Sequence, residues 1–350
     1  MSNILSQIWF QIQKDLFPHL SQEISPLSEK EKRLVSFLEL IRIEEYVRSR
    51  WWSRGRPEKE RQILARAYIG KMVYNISTTK ELIERLKSEV NFLRIIGWKK
   101  VEEVPSESTF SRVFNEFSEG KLPHRVHEEL LKKYESERLV GHISRDSTDI
   151  VGREKAVSKT KDADKSKLKQ SRGRPRKGED RQPKEKSRMQ RQREMTLSEI
   201  HDELPKGCDW GFKKKRGKNY YWRGYKFHVD WADGEIPIST ILTSASLHDS
   251  QAAIPLAKMS SERVVNLYDL MDSAYDAKEI EEYSFSLGHK PIIDRNSRRG
   301  LKLEMEPAKI RRYKERSTAE RGFSLLKENY GGSKIRVRGY KKVICHLMFG

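Results

Sequence analysis

Cysteine is nearly missing from this 350-residue chain: Cys208 and Cys345 stand far apart, with no second Cys or His at zinc-ligand spacing. That excludes a disulfide framework and fits a reducing cytoplasm. Long apolar runs are missing too. None approaches the roughly 18 residues a membrane span needs, so no membrane anchor is expected. Residues 1–17, MSNILSQIWFQIQKDLF, lack a charged leader region and a small-residue cleavage site, so no signal peptide is expected. Acidic residues are also in deficit. There are 51 Asp+Glu against 71 Lys+Arg, a formal net charge of +20 and a pI near 9.7. A chain this basic usually meets a polyanion, and nucleic acid is the first candidate. The expected location is cytoplasmic and nucleoid-associated. With 36% hydrophobic and 35% charged residues, the length still allows two or three domains.

Residues 1–135 read as helical. After Pro57, Ile63, Leu64, Ala67, Ile69, Met72 and Val73 recur at helical spacing. Thr78 or Thr79 is placed to cap a helix that runs to Gly97, and Ser106–Phe117 gathers Phe110, Val113, Phe114 and Phe117 on one side. Short basic helices suit a DNA-binding domain of helix-turn-helix type. They also suit a plain helical subdomain, and no recognition helix stands out.

From 139 the pattern changes. Leu139–Ile150 is a short apolar run closing on Asp146 and Asp149. Residues 153–195 then hold 17 Lys/Arg and 7 Asp/Glu, which is +10, with almost no large apolar side chains. Such a segment is expected to be a mobile loop, and the whole of 153–219 a basic, largely disordered insertion. Within it, Ser171–Gly178 reads SRGRPRKG and is similar to AT-hook peptides, which would put Arg172 and Arg174 into a narrow minor groove. A basic linker that holds phosphates without reading sequence is the alternative. Ser53–Pro57 repeats the motif but leads into a helix.

From Tyr220 the period is two. Tyr225, Phe227, Val229 and Trp231 predict a half-buried strand, Asp233-Gly234 a hairpin turn, and Pro237–Thr243 the returning strand. A helix over Asp249–Met259, a fully buried strand over Val264–Met271, a helix opened by a capping box at Asp276–Glu279 and a short strand at KPIID follow. The result is a mixed α/β sheet with helices on its faces, spanning 136–350.

The most pointed stretch is Pro307–Gly332. Pro307 suits a first helical turn and Gly331-Gly332 a stop. Between them Tyr313, Arg316, Glu320 and Lys327 fall within about 60° of arc on one helix face. A phenol, a guanidinium, a carboxylate and an ammonium make a poor face to bury. A solvated charged face has the same composition, and the residues alone leave both readings open. Asp146 and Asp272 are expected at strand ends and Glu320 in the following helix. Three acids brought together repel unless hard cations join them. Asp149 competes with Asp146 for the first position.

The spacing of Tyr313, Arg316, Glu320 and Lys327 resembles the YREK signature of insertion-sequence DDE transposases. DSTDI at Asp146, and LYDLMDSAYD ending at Asp276, resemble that family's first two acid motifs. LTSASLHDSQ (242–251) and GYKFHV (224–229) look like its linking segments, and the pattern from Arg61 to Phe117 is similar to its amino-terminal region. The resemblance implies a ribonuclease H-like (retroviral-integrase-like) fold, with Asp146, Asp272 and Glu320 binding two Mg²⁺ or Mn²⁺ ions. Arg316 and Lys327 would hold phosphates, and Tyr313 would contact the backbone or a displaced base. The expected partners are double-stranded DNA, as transposon terminal repeats and target, and a second copy of the chain. His248 and Asp249 match a pair seen in the family, and Asp249 is read as a helix cap. Lys341–Phe349 looks like the start of a helix that continues in the family, so the chain is expected to be shortened. A truncated, inactive DNA-binding repressor and a structure-selective nuclease are the alternative readings.

Overall fold

The period-two run around Tyr225–Trp231 becomes the spine of the sheet. In the computed structural model, which describes residues 26–47, 60–136, 138–157, 186–215, 217–297 and 304–350, β3 (Lys218–Ala232) pairs antiparallel with β1 (Leu139–Val151). β2 (Asp209–Lys215) pairs with the first half of β3, and β4 (Ile236–Ser244) with its second half. β5 (Val265–Met271) and β6 (Lys290–Ile293) extend the sheet in parallel beyond β1, giving the order β2-β3-β1-β5-β6. The expected α/β class with a mixed sheet holds. Asp233 and Gly234 make the predicted turn, and the Asp233 carboxylate accepts from the backbone N–H of Gly141 and His142, both at 3.1 Å. Gly224 sits where β3 changes neighbours. Its φ is +153°, and a Cβ there would lie 2.0 Å from the Ile150 carbonyl oxygen, so glycine alone fits.

Six helices fill the described part of the amino-terminal region: α1 (Glu29–Ile41), α2 (Arg61–Val73), α3 (Thr79–Ser88), α4 (Val90–Ile96), α5 (Glu107–Glu119) and α6 (Leu122–Tyr134). Thr78 caps α3 by accepting from Glu81 N–H. The expected single helix to Gly97 is interrupted at Glu89, whose extended backbone ends α3 and starts α4. Leu34, Leu64, Tyr68, Phe92 and Phe110 form one buried core. Cys345 from α13 (Tyr340–Phe349) joins it, and the Phe349 ring packs on Tyr68 and Phe114. The last helix therefore fastens the helical layer to the sheet, because Val343 and Leu347 of the same helix pack with Phe227 and Val229 of β3.

Several expectations change. The insertion is ordered from 186: α7 (Arg188–Glu194), α8 (Leu197–Glu203) and β2 follow one another. Ser187 and Thr196 each form a capping box, and Ile200 and Leu204 bury against α9 (Ala253–Ser261) and β4. A few well-placed apolar residues outweigh the high charge of the segment. Residues 158–185, with Arg172 and Arg174, lie outside the described residues, as do 1–25 and the Ser53–Pro57 repeat. β5 is not fully buried, since Val265 and Leu267 are 65% and 47% exposed. α10 (Lys278–Ser286) has no capping box, because Asp276 accepts from Arg295 and from the Asn296 N–H instead. The 307–332 helix is two helices, α11 (Pro307–Tyr313) and α12 (Ser317–Asn329), joined by a 3₁₀ turn at Lys314–Arg316.

Candidate active site

β1 and β5 run parallel, and their last paired residues are Arg145 and Met271. The next residues, Asp146 and Asp272, therefore leave the ladder side by side at the carboxyl edge of β5, the usual ligand edge of an α/β sheet. Asp146 does not end its strand as expected. β1 continues to Val151 because β3 still pairs with it on the other side. Asp272 opens a 3₁₀ turn, its Oδ1 accepting from Ala274 N–H at 3.0 Å. Asp146 Oδ1 accepts from Ser147 N–H at 2.7 Å.

Both acids are only partly compensated. Burial pushes the Asp146 carboxyl up to about 6, against the pull of Arg316, with Asp272 and Asp249 adding to the rise. Burial also raises Asp272, and Asp249 adds to it. Asp149, the competing first acid, is the opposite case. Burial disfavours its charge, but Lys213 Nζ at 2.5 Å and Lys327 Nζ at 3.5 Å outweigh that and hold it below the usual carboxylate range. Asp149 is thus already neutralised, while Asp146 stands short of positive charge.

The 3₁₀ turn brings the third element in. Ser144 and Asp146, two apart on one face of β1, both meet it. The Ser144 hydroxyl donates to the Glu315 carbonyl at 3.1 Å, and Arg316 Nη1 lies 3.3 Å from Asp146 Oδ2. Arg316 Nη2 donates to Glu320 Oε1 at 2.9 Å, so one guanidinium spans the first acid and the expected third. Burial works against the Arg316 cation, but Asp146, Tyr313, Asp272 and Glu320 raise its pKa above the ordinary value. Tyr313 is half-buried with its ring 5.9 Å from that guanidinium, and burial raises its hydroxyl. Lys327 stands beside Asp149, three residues along β1 from Asp146.

Sequence reasoning missed three groups. Asp249 does not cap its helix. His248 does, its Nδ1 accepting from Ser250 N–H, and Asp249 lies 3.1 Å from Lys226 Nζ and bears on both site acids. Tyr275 is 1% exposed, and among the described residues its hydroxyl has no hydrogen-bond partner. Burial, then Asp249, Asp146 and Asp272, raise it far above the ordinary value. The Asp-x-x-Tyr-Asp spacing was its one signal. Behind the site, Arg145 and Asp230 form a fully buried two-pronged pair at 2.7 Å for each bond. It fixes β1 against β3, and strand alternation gave no hint of it.

Among the described residues, no three His, Cys, Asp or Glu side chains are gathered into a cation cage. The Asp146–Asp272 pair has the chemistry a hard cation requires: half-buried, oxygen-only and only partly offset by Arg316. Glu320 is 65% exposed and is held off by the guanidinium it shares with Asp146. The donor set fits a divalent ion at the pair, with the third carboxylate one guanidinium away.

Two family models match the chain. Residues 19–116 match a Transposase domain (DUF772), and residues 141–350, more than half the chain, match the Transposase DDE domain. No curated protein and no solved structure gives a match. Among the described residues, no helix is long and apolar enough to cross a membrane. The second match begins two residues into β1 and takes in the whole sheet, the Asp146–Asp272 pair and the Arg316 turn, so the chain belongs to the transposase DDE domain family. It has a ribonuclease H-like catalytic fold, and it is a DNA-binding DNA transposase, an enzyme of the polynucleotidyl transferase class.

Proposed function

We propose that this transposase cuts a DNA strand at the transposon end with water and then uses the freed 3′-hydroxyl to attack target DNA. Asp146, Asp272 and Glu320 are the catalytic carboxylates in this reading. The observation that carries it is the Arg316 guanidinium shared between Asp146 and Glu320, with Asp272 beside them. A pair of divalent ions, Mg²⁺ or Mn²⁺, held by these acids would activate the attacking oxygen and stabilise the leaving one. Arg316 is the exchangeable partner. A phosphate arriving at the edge of β1 competes with the carboxylates for its fork of N–H donors, which suits phosphate geometry well. Once Arg316 turns to phosphate, Glu320 is released toward Asp146. Tyr313 then contacts the DNA backbone from the same turn, and Lys327 reaches phosphates further along β1. Two copies of the chain, one per transposon end, form the working complex, and the amino-terminal helices and the basic segment with Arg172 and Arg174 add DNA contacts.

The test is Asp272→Asn, read in two ways. Metal-dependent nicking and joining fall by at least about a hundredfold, the scale of removing one charge-stabilising group from a site, while duplex binding is kept. Independently, Mn²⁺ raises the melting temperature of the natural chain but not of the variant. Undiminished cleavage in the variant would refute the assignment. Nicking with no joined product in the natural chain would make it a nuclease on the same fold.

A further inference from the structure

The hairpin of β2 and the first half of β3 carries a surface the reaction above does not use. Its register sets Trp210 opposite Arg223, Phe212 opposite Tyr221, and Lys214 opposite Asn219, so these six share one face. Trp210, Phe212 and Tyr221 are 56%, 49% and 61% exposed, and the Phe212 and Tyr221 rings lie 5.0 Å apart. A two-stranded ribbon with large aromatics facing water is unusual unless something covers it. The other face is occupied. Trp222 lies flat over Gly211, where a Cβ would come within 2.4 Å of the indole, and its Nε1 donates to the Tyr225 carbonyl at 3.0 Å. Lys213 sits above Tyr220 and Trp222 at 5.4 and 5.6 Å and reaches Asp149, which also meets Lys327. One side of the ribbon is therefore tied to the active edge of β1, and the aromatic side is turned out.

We propose that this outer face is a stacking platform for unpaired bases of the DNA strand at the cleavage site. Three observations choose that occupant. The charge is complementary to DNA, since Lys214 and Arg223 stand on this face and none of its six residues is acidic. The aromatics Trp210, Phe212 and Tyr221 share the face with Lys214 and Arg223, the combination that grips single strands, because every base offers a π-face once it is unstacked. The ribbon also continues β3 past the stretch that pairs with β1, and Lys213 on its inner face ties it to Asp149, three residues after Asp146. A fully paired duplex hides its π-faces and would engage the cations only. The inference rests on the chain's action on DNA, and it is independent of which carboxylates are catalytic.

The test is run on the full chain without divalent metal, so that it reads binding and not cleavage. Three probes are compared: a blunt duplex, the same duplex with several unpaired nucleotides at one end, and a single strand. The natural chain is expected to prefer the unpaired probes by about tenfold, in line with stacking on one or two aromatic rings. Trp210→Ala combined with Tyr221→Ala is expected to lose that preference and keep its blunt-duplex affinity. Photocrosslinking of an iodouracil-containing single strand to the natural chain, which needs no variant to fold, should form adducts at Trp210, Phe212 or Tyr221. Adducts exclusively elsewhere would overturn the proposal. So would an unchanged preference in the double variant, or a dimer that falls to monomer in that variant while the preference survives. The last result would assign the face to a second copy of the chain.

Discussion

The two halves of the 307–332 stretch were built by the same helical periodicity, yet they are held in opposite ways. In α11 and the turn after it no residue is buried. They stay in place through the Arg312 guanidinium 4.2 Å from the Tyr268 ring, the Ser144 bond to Glu315 and the shared Arg316. α12 is wedged into the core. Phe323 meets Trp231 edge to face at 5.4 Å, and a Cβ on Gly322 would lie 2.6 Å from the Trp231 ring. At its end, Gly331 turns at φ +77°, its carbonyl 3.0 Å from His346 Nε2 of α13. The anchored half fixes where the site is. The lightly held half carries Tyr313 and Arg316, whose partners must exchange when DNA arrives, and ion pairs exchange at far lower cost than packed rings.

Substitutions in the two halves should separate cleanly. Phe323→Ala is expected to cost about 3–5 kcal/mol in chemical denaturation, the range for deleting a buried aromatic. Ile310→Ala, at a position 45% exposed, should stay within about 0.5 kcal/mol. Comparable losses at both positions would erase the contrast.

Next in size is a dependence on acid at the anchored end. Burial, together with the nearby Lys71 ammonium, lowers the His346 pKa to about 4. The unfolded chain, at an ordinary histidine value, takes the proton first as pH falls. The stabilisation is therefore complete above about pH 6.5 and is lost progressively down to about 4, to a depth of roughly 3 kcal/mol. His124, His127 and His228 are lowered to about 4 by burial in the same way. His346→Gln should thus reduce the slope of stability against pH over that window without abolishing it. An unaltered slope would mean that His346 is not buried neutral.

The smallest effect expected is at the lightly held half itself. Arg316→Ala leaves the melting temperature within a few degrees, since the helix it sits on buries nothing there, but it weakens binding to transposon-end DNA. A large thermal loss with DNA affinity intact would reverse the roles assigned to the two halves.

Local chemistry made much of this molecule legible. Alternation revealed β3, Asp233-Gly234 revealed the hairpin, and the spacing of Tyr313, Arg316 and Glu320 pointed to one face. Legibility failed wherever a residue's role is set by a distant neighbour. Asp149 and Asp146 look alike in the run DSTD, and what separates them is Lys213 and Lys327 arriving from β2 and α12. Asp249 read as a cap because only its own helix was in view. The insertion looked unfoldable by composition until Ile200 and Leu204 found α9 and β4.

The sequence by itself determined the class of sheet, the positive field that draws DNA, and the acids available for catalysis, because strand period, net charge and residue type are properties of neighbours along the chain. Tertiary structure decided which acid is left short of counter-charge, where Arg316 divides its donors, and that the last helix joins the helical layer to the sheet. Burial and Coulomb interactions act through space, between residues that the sequence holds 64 to 178 positions apart.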